Sequence, residues 1–245
     1  MNLIRILLFA LVTLQACSDS KEILTIATSS NMQIAMDEIR AKFVEESNIE
    51  CEIVYSSSGK LFAQIKEGAP YDVFVSADMD YPKRLYEEGI TSNPPVHYGS
   101  GILVLFGEGS DAFDILTNSE VNHIAIANPK TAPYGRASKE FLQKLGVFDK
   151  LKSKLVYGEN IQQTTQFIET GAAEIGITSK AFIHVASMKN RTWIELDSSL
   201  YQPIKQGVVI LTNRSDNIEK ARQFQAFLLS ETSREILKRF GYLTK

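Results

Sequence analysis

Short buried strand patterns alternate with helical patterns along most of this 245-residue chain. The segment 23–28 has the composition of a buried strand, and apolar residues from Met32 to Phe43 then recur at the spacing of one helix face. Such alternation is typical of an α/β protein with a mostly parallel sheet. Further strands are predicted at 51–55, 72–76, 101–106, 123–127, 154–157, 174–178, 193–196 and 207–212, and helices at 61–65, 85–88, 137–145, 161–169 and, as a pair, 217–240.

Two breaks in composition divide the chain, near Asn93-Pro94-Pro95 and near Tyr201-Gln202-Pro203. The segment of roughly a hundred residues between them has its own βαβα run and is long enough for a small domain. We therefore predict that 17–100 and 204–245 form lobe I and 101–203 form lobe II, with a hinge where the chain crosses twice. A single continuous sheet with a loop at the two prolines is the alternative.

The first sixteen residues have the pattern of an export signal. Arg5 precedes an apolar run from Ile6 to Leu14 that is too short to span a bilayer. The run ends in Leu14-Gln15-Ala16-Cys17, which resembles a bacterial lipobox and predicts a signal peptide at 1–16 and lipidation of Cys17. An ordinary secretory peptide cut near Ala16 is the alternative, and both place the protein outside the cytoplasm. Cys51 is then the only other cysteine, so no internal disulfide is expected.

The charge balance argues against a nucleic-acid partner. Removing residues 1–16 takes away only Arg5 from the 26 basic residues. The mature chain then has 25 basic and 29 acidic residues, a net charge of −4, which would repel a nucleic acid. An anion would therefore be captured by local dipoles rather than by the field of the whole protein.

Hydroxyl-rich turns follow two of the predicted strands. Ser56-Ser57-Ser58-Gly59 leads from a strand into a helix, and Thr28-Ser29-Ser30-Asn31 does the same upstream. Hydroxyls and backbone amides at a helix N-terminus can hold an oxyanion without a formal positive charge. The simpler interpretations are that Ser30 or Asn31 caps the first helix and that 56–58 is a polar surface turn. Ser58-Gly59-Lys60 lacks the upstream glycine of a nucleotide-binding P-loop.

Several segments, in order, resemble the periplasmic molybdate-binding proteins of ABC transporters. The resemblance spans nearly the whole mature chain and implies a two-lobed periplasmic-binding-protein fold (type II), each lobe a mostly parallel sheet flanked by helices. It is carried by the segments Ala27-Thr28-Ser29-Ser30-Asn31, Ser57-Ser58-Gly59-Lys60-Leu61, Gly68-Ala69-Pro70-Tyr71-Asp72-Val73-Phe74-Val75-Ser76-Ala77-Asp78, Asn128-Pro129, Ala132-Pro133-Tyr134-Gly135 and Lys238-Arg239-Phe240-Gly241-Tyr242.

The resemblance also implies the residues that hold the ligand. Molybdate or tungstate would lie in the cleft between the lobes, and no cofactor is expected. Ser179 occupies a position where some members carry a tyrosine hydroxyl, so it would be an additional, shorter donor. The implied oxyanion-binding residues are Ser30, Asn31, Ser57 and Ser58 in lobe I and, through backbone N–H groups, Tyr134 and Ile161 in lobe II; of these, Ser30, Ser58, Tyr134 and Ile161 are the implied molybdate ligands.

A donor-rich site without a carboxylate should prefer an anion that has no proton to donate. Molybdate and tungstate are fully deprotonated at neutral pH, whereas phosphate is partly protonated and needs an acceptor. Sulfate is smaller, so its rejection would depend on cavity size. Glu159 is the one nearby acid that would upset this preference if it turned inward, whereas Lys60 and Arg136 are expected on solvated helix surfaces.

Other chemistries find little support in the sequence. His97, His123 and His184 are scattered without metal-ligand spacing, and no Gly-x-Ser-x-Gly elbow is present. We therefore predict a non-enzymatic, monomeric, exported binding protein that delivers its anion to ABC permease subunits and touches the membrane only through its lipid anchor. The alternatives are a sulfate, thiosulfate or phosphate receptor and a secreted enzyme acting on an anionic substrate.

Overall fold

The computed structural model describes residues 23–109, 111–212 and 215–244. The predicted signal peptide at 1–16 and the predicted lipidation site Cys17 lie outside the described residues. None of the helices within those ranges combines the length and the apolar character that crossing a membrane requires.

The described residues form ten strands and nine α-helices, joined by short 3-10 turns such as Ser30–Met32. Most predicted strands lie within one residue of the observed ones, but β4 was not predicted and the last strand begins three residues earlier. The strands are β1 Leu24–Ser29, β2 Cys51–Ser56, β3 Val73–Ser76, β4 Val96–Gly101, β5 Leu103–Phe106, β6 Ile124–Ala127, β7 Leu155–Gly158, β8 Ile175–Ser179, β9 Trp193–Glu195 and β10 Ile204–Ile210. The helices are α1 Gln33–Ser47, α2 Ser58–Lys66, α3 Asp80–Glu87, α4 Ala112–Thr117, α5 Pro133–Lys144, α6 Phe148–Leu151, α7 Ile161–Glu169, α8 Ile218–Leu228 and α9 Glu231–Arg239.

The strands form two five-stranded sheets with the same plan. One has the order β2-β1-β3-β10-β4 and the other β7-β6-β8-β5-β9. In each, the first three strands are parallel and the last two pairings are antiparallel. Each sheet is therefore mostly parallel, as predicted, with four strands in one direction and one reversed strand, β10 in the first sheet and β5 in the second; these two strands follow the two crossings between the sheets.

The chain crosses from the first sheet to the second between β4 and β5 and returns between β9 and β10. These crossings lie beside the predicted boundaries at 100/101 and 203/204. Lobe I here denotes the first sheet with α1, α2, α3, α8 and α9, and lobe II the second sheet with α4 to α7. Apolar side chains cover both faces of each sheet. Burial on both faces explains why the parallel strands read as continuous apolar runs in the sequence.

Cys51 is buried among apolar side chains in the core of lobe I. Burial raises the pKa of its thiol, so it behaves as a small apolar side chain. Within the described ranges, no group of three or more His, Cys, Asp or Glu side chains is arranged to hold a metal ion.

Candidate functional site

The parallel pairing of β1 with β2 brings the two hydroxyl-rich turns together. Ser29 lies opposite Ser56 in the register, so the residues that follow, Ser30 and Ser57, leave neighbouring strands at the same sheet edge. In lobe II, β6 and β7 are paired in the same way, with Ala127 opposite Gly158. Helices α5 and α7 therefore begin side by side, at the equivalent edge of the second sheet.

The two edges meet across the cleft between the lobes. The 3-10 turn Ser30–Met32 contacts α7. The backbone N–H of Gly59, in the first turn of α2, donates to the carbonyl of Thr131 in the loop before α5, at 2.9 Å. The 3-10 turn and the start of α2 in lobe I thus meet the starts of α7 and α5 in lobe II at the cleft.

In lobe I, the first turn presents a hydroxyl that has no partner in the protein. Ser30 is 1% exposed and its Oγ makes no hydrogen bond. The prediction that Ser30 or Asn31 caps the first helix is wrong, because Met32 stands at the N-cap of α1 and makes no side-chain capping bond. A buried hydroxyl without a partner is destabilising by about 1–3 kcal/mol. The Ser30 hydroxyl therefore suits a ligand that supplies an acceptor.

The second turn has the same character. Ser57 is the N-cap of α2 but forms no capping bond, and its buried Oγ is also without a partner. The adjacent Ser58 is fully buried, and its Oγ accepts from the backbone N–H of Ala77 at 3.0 Å. Accepting that bond leaves the Ser58 hydroxyl hydrogen available to donate. The surface-turn interpretation of 56–58 is wrong for Ser57 and Ser58, since both side chains are buried.

In lobe II, the donors are backbone amides at helix starts. Tyr134 is the second residue of α5, after Pro133, and the N-cap Ala132 has no polar side-chain atom that could accept from the Tyr134 amide. Asn160 caps α7 by accepting from Gln163 N at 3.0 Å, which leaves the N–H of Ile161 outside the capping bond. The first amides of a helix have no intrahelical acceptor and lie at the positive end of the helix dipole. Both helix starts can therefore donate to an anion.

A buried network of side chains supports these turns from behind. The hydroxyl of Tyr134 accepts from Ser179 Oγ and from Gln206 Nε2, each at 3.1 Å. Burial raises the pKa of Tyr134 far above its ordinary value, so the phenol stays neutral. The single hydrogen of the Ser179 hydroxyl is thus directed at Tyr134, and Ser179 contributes to the site by holding Tyr134 in place.

The Asn31 side chain belongs to the same network. Its Nδ2 donates to Gln206 Oε1 at 2.9 Å and to the Tyr242 hydroxyl at 3.1 Å, so both amide hydrogens are used within the protein. The Tyr242 hydroxyl in turn donates to the backbone carbonyl of Asn31 at 2.7 Å, and the Tyr98 hydroxyl donates to Gln206 Oε1 at 2.6 Å. The group that Asn31 can offer an anion is therefore its backbone N–H.

Sequence reasoning missed the supporting role of Gln206, Tyr98 and Tyr242. Tyr242 ends the last segment of the resemblance, which was the one signal available. Gln206 lies in β10 and is fully buried, and nothing in its local pattern distinguishes it from a surface glutamine.

The two cations beside the site are each paired with an acid of the opposite lobe. Lys60 of α2 forms an ion pair with Glu159, and Arg136 of α5 forms one with Asp78. Both cations lie on solvated helix surfaces, as expected, with 45% of the Lys60 side chain and 38% of the Arg136 side chain exposed, but each also bridges the cleft, which the sequence did not predict. Glu159 is held by Lys60 and does not turn into the site.

The two lobes share one sheet plan, are joined by two crossings and carry facing sets of donors. These features define the class of two-lobed solute-binding proteins. The chain belongs to the family of bacterial extracellular solute-binding proteins, whose sequence profile matches residues 24–243.

Individual relatives agree with this assignment. The molybdate-binding protein ModA of Rhodobacter capsulatus is 34% identical over 223 residues, which cover 89% of this chain and 87% of that protein. The putative ABC transporter substrate-binding lipoprotein YvgL of Bacillus subtilis is 30% identical over 232 residues, or 92% and 88% of the two chains. The solved structure of the Azotobacter vinelandii periplasmic molybdate-binding protein superimposes with a TM-score of 0.85 at 30% identity, covering 91% of this chain and 99% of that one.

Proposed function

We propose that this protein binds molybdate or tungstate in the cleft between its lobes and delivers the anion to an ABC importer. The observation that carries the proposal is the pair of buried, partnerless hydroxyls of Ser30 and Ser57, which lie at the edge of lobe I that contacts α7 and the loop before α5 of lobe II. The relatives from R. capsulatus and A. vinelandii are molybdate-binding proteins, which supports the same ligand for this chain.

The donor set suits a doubly charged tetrahedral oxyanion. Such an anion loses a large hydration energy in the cleft, and only several directed donors can replace it. We assign this shell to Ser30, Ser57 and Ser58 with the Asn31 amide in lobe I, and to the amides of Tyr134 and Ile161 in lobe II. Binding from both sides stabilises the closed arrangement relative to the open one.

The charges around the site favour an anion that carries no proton. Glu159 and Asp78 are held by Lys60 and Arg136, so neither offers a free acceptor to a protonated phosphate. Sulfate fits the same donors, and we attribute its rejection to the size of the closed cleft.

We further propose how the protein is used in the cell. It would be exported and lipid-anchored through Cys17; the B. subtilis relative YvgL, named as a lipoprotein, supports this anchor. It would act as a monomer, bind its cargo without a cofactor, release it to permease subunits and catalyse no reaction.

Isothermal titration calorimetry of the mature protein with molybdate, tungstate, sulfate and phosphate tests the ligand. We expect sub-micromolar dissociation constants for molybdate and tungstate and far weaker binding of the other two. Equal affinity for sulfate would overturn the molybdate assignment. Hydrolysis or dehydration of an anionic substrate, lost in Ser58→Ala, would show instead that the fold carries an enzyme.

A further inference from the structure

Gly59 joins the backbones of the two lobes through a direct hydrogen bond. It lies in the first turn of α2, directly after Ser58, and its N–H donates to the Thr131 carbonyl of lobe II at 2.9 Å. This bond is not part of any helix or sheet. It forms only when the lobes are together.

The position has no room for a side chain. A Cβ on Gly59 would lie 2.7 Å from the Thr131 carbonyl oxygen and 2.6 Å from the Tyr81 hydroxyl. The Tyr81 hydroxyl is the end of a side chain and can move, whereas the Thr131 oxygen is backbone. Gly59 is not among the residues with a positive φ, so glycine is required here for space and not for conformation.

Two ion pairs flank this contact. Lys60, the next residue, pairs with Glu159, which lies two residues before α7. On the other side, Asp78 pairs with Arg136 of α5, and the Arg136 guanidinium also lies 5.3 Å from the centre of the Tyr81 ring. Asp78 is itself fixed in lobe I, because its Oδ1 accepts from Ser76 Oγ at 3.0 Å and from Tyr81 N at 3.2 Å.

The same elements carry the proposed anion donors. Gly59 follows Ser58, and Arg136 follows Tyr134 by two residues in α5. The distance between the Gly59 and Thr131 backbones therefore also sets how closely the amide of Tyr134 approaches the hydroxyls of lobe I.

We propose that Gly59 is a positioning residue for anion binding, which allows the lobes to close far enough for both donor sets to reach one anion, and that the pairs Lys60–Glu159 and Asp78–Arg136 hold that closed contact. The proposal rests on the function proposed above. It adds that affinity is controlled at a position that touches no ligand.

The main test is Gly59→Ala. A methyl group against the Thr131 carbonyl disfavours the closed state, so we expect the dissociation constant for the anion to rise about tenfold or more. The open protein still admits the anion, so the change should appear in the dissociation rate while the association rate stays close to that of the wild type. Stopped-flow measurement with whichever of molybdate, tungstate, sulfate or phosphate binds the wild-type protein separates the two rates.

Gly99→Ala is the matched control. The three atoms nearest to a Cβ on Gly99 all belong to lobe I, with the Leu243 carbonyl oxygen nearest at 3.4 Å. This variant should bind the anion within about twofold of the wild type. If Gly59→Ala also stays within that range, the proposal is overturned.

A second readout does not depend on which anion binds. The residue-59 amide donates across the cleft, whereas the Leu61 amide donates to Ser57 O within α2 at 3.0 Å. Hydrogen exchange followed by NMR should be faster at residue 59 in Gly59→Ala than in the wild type, with Leu61 unchanged. Unchanged exchange at residue 59 contradicts the proposal, whereas failure of the wild type to bind molybdate contradicts only the ligand assignment.

A charge variant keeps the proposal testable if Gly59→Ala does not fold. Arg136→Gln removes the cross-lobe pair with Asp78 and should weaken anion binding about two- to fivefold, with less dependence on salt than the wild type. The control is Lys66→Gln, because Lys66 pairs with Glu88 inside lobe I at 2.8 Å. Equal affinity in Arg136→Gln, Lys66→Gln and wild type would overturn the role of the ion pair in closure.

Discussion

The two lobes share one sheet plan but offer an anion different chemical groups. In the proposed site, lobe I would contribute side-chain hydroxyls from Ser30, Ser57 and Ser58, which leave the ends of β1 and β2, together with the Asn31 amide. Lobe II would contribute backbone amides at the starts of α5 and α7. The same topological position would thus be used mainly through side chains in one lobe and through the main chain in the other.

This difference has a consequence for mutation. A hydroxyl is lost by any substitution to alanine, whereas a backbone amide survives every substitution except one to proline. Lobe I should therefore be sensitive to ordinary changes at its binding residues, and lobe II should respond mainly to proline.

The largest expected effect comes from proline in lobe II. Ile161→Pro removes the donor N–H at the first position of α7, where proline is well accommodated in a helix. The preceding Asn160 already has an extended backbone (φ −144, ψ 177), which a following proline requires. We expect calorimetry to show a loss of about 2–3 kcal/mol of anion binding free energy, because a hydrogen bond to a charged group is removed.

Ile161→Val is the control for that experiment. It keeps the amide and removes one buried methylene, so the free energy of unfolding should fall by about 0.5–1.5 kcal/mol while anion affinity is retained. Comparable affinity losses in the proline and valine variants would show that lobe II recognises the anion through the side chain and not through the main chain.

The next effect separates two neighbouring hydroxyls in lobe I. Ser57→Ala and Ser58→Ala should each cost about 1–3 kcal/mol of anion binding free energy. Their stabilities should differ without the anion, because Ser58 Oγ accepts from Ala77 N whereas Ser57 Oγ has no partner. Thermal unfolding should therefore show a destabilised Ser58→Ala protein and a Ser57→Ala protein at least as stable as the wild type.

A Ser57→Ala protein that loses stability but keeps its affinity would place the Ser57 hydroxyl in the scaffold rather than in the site. The comparison between lobes would then rest on Ser30 and Ser58 alone.

A smaller effect is expected in the buried hydrogen-bond network that supports the site. Tyr134→Phe keeps the α5 amide but removes the hydroxyl that accepts from Ser179 and Gln206. Leaving two buried donors without an acceptor should reduce the free energy of unfolding by about 1–3 kcal/mol, measured by chemical denaturation. Anion affinity should fall less than in Ile161→Pro. A larger affinity loss in Tyr134→Phe would mean that the phenol itself is a ligand.

Local patterns predicted most of the fold. The apolar runs of β1, β3 and β6 are buried on both faces, and this burial gives an unambiguous signal in a single sequence. Strand β4 was missed because Val96–Gly101 contains a histidine, two glycines and a serine, and its place depends on antiparallel pairing with the distant β10.

Like the fold, the candidate site contains residues that local sequence patterns predicted and residues that they did not. Ser30 and Ser57 follow strands in a recognisable strand-to-helix turn, so composition and order indicated them. Gln206 and the pairs Lys60–Glu159 and Asp78–Arg136 depend on which lobe faces which, and their partners lie 58 or more residues apart in the chain. Contacts of this kind are set by tertiary packing, which leaves no local pattern in the sequence.

The smallest effect concerns the acid that anchors one cross-lobe pair. Asp78 lies in lobe I, and its burial raises the pKa of the carboxyl above the ordinary value of 3.8, although Arg136, Tyr81 N and Ser76 oppose the shift. The folded protein therefore retains the Asp78 proton at a pH where the unfolded chain has lost it. The stabilising contribution is complete below the unfolded pKa and is lost as the pH rises through the folded pKa.

The variant Asp78→Asn cannot titrate, so it isolates this contribution. The free energy of unfolding of the wild type minus that of Asp78→Asn should decrease as the pH rises from about 4 to about 7, because ionising the buried Asp78 carboxyl costs the folded state more than the unfolded one. Urea unfolding at several pH values measures the difference directly, and the subtraction removes the titration of all other groups. A difference that increases with pH would show that Arg136 outweighs burial. Ionised Asp78 paired with Arg136 would then stabilise the folded chain at neutral pH, in addition to the closed contact between the lobes.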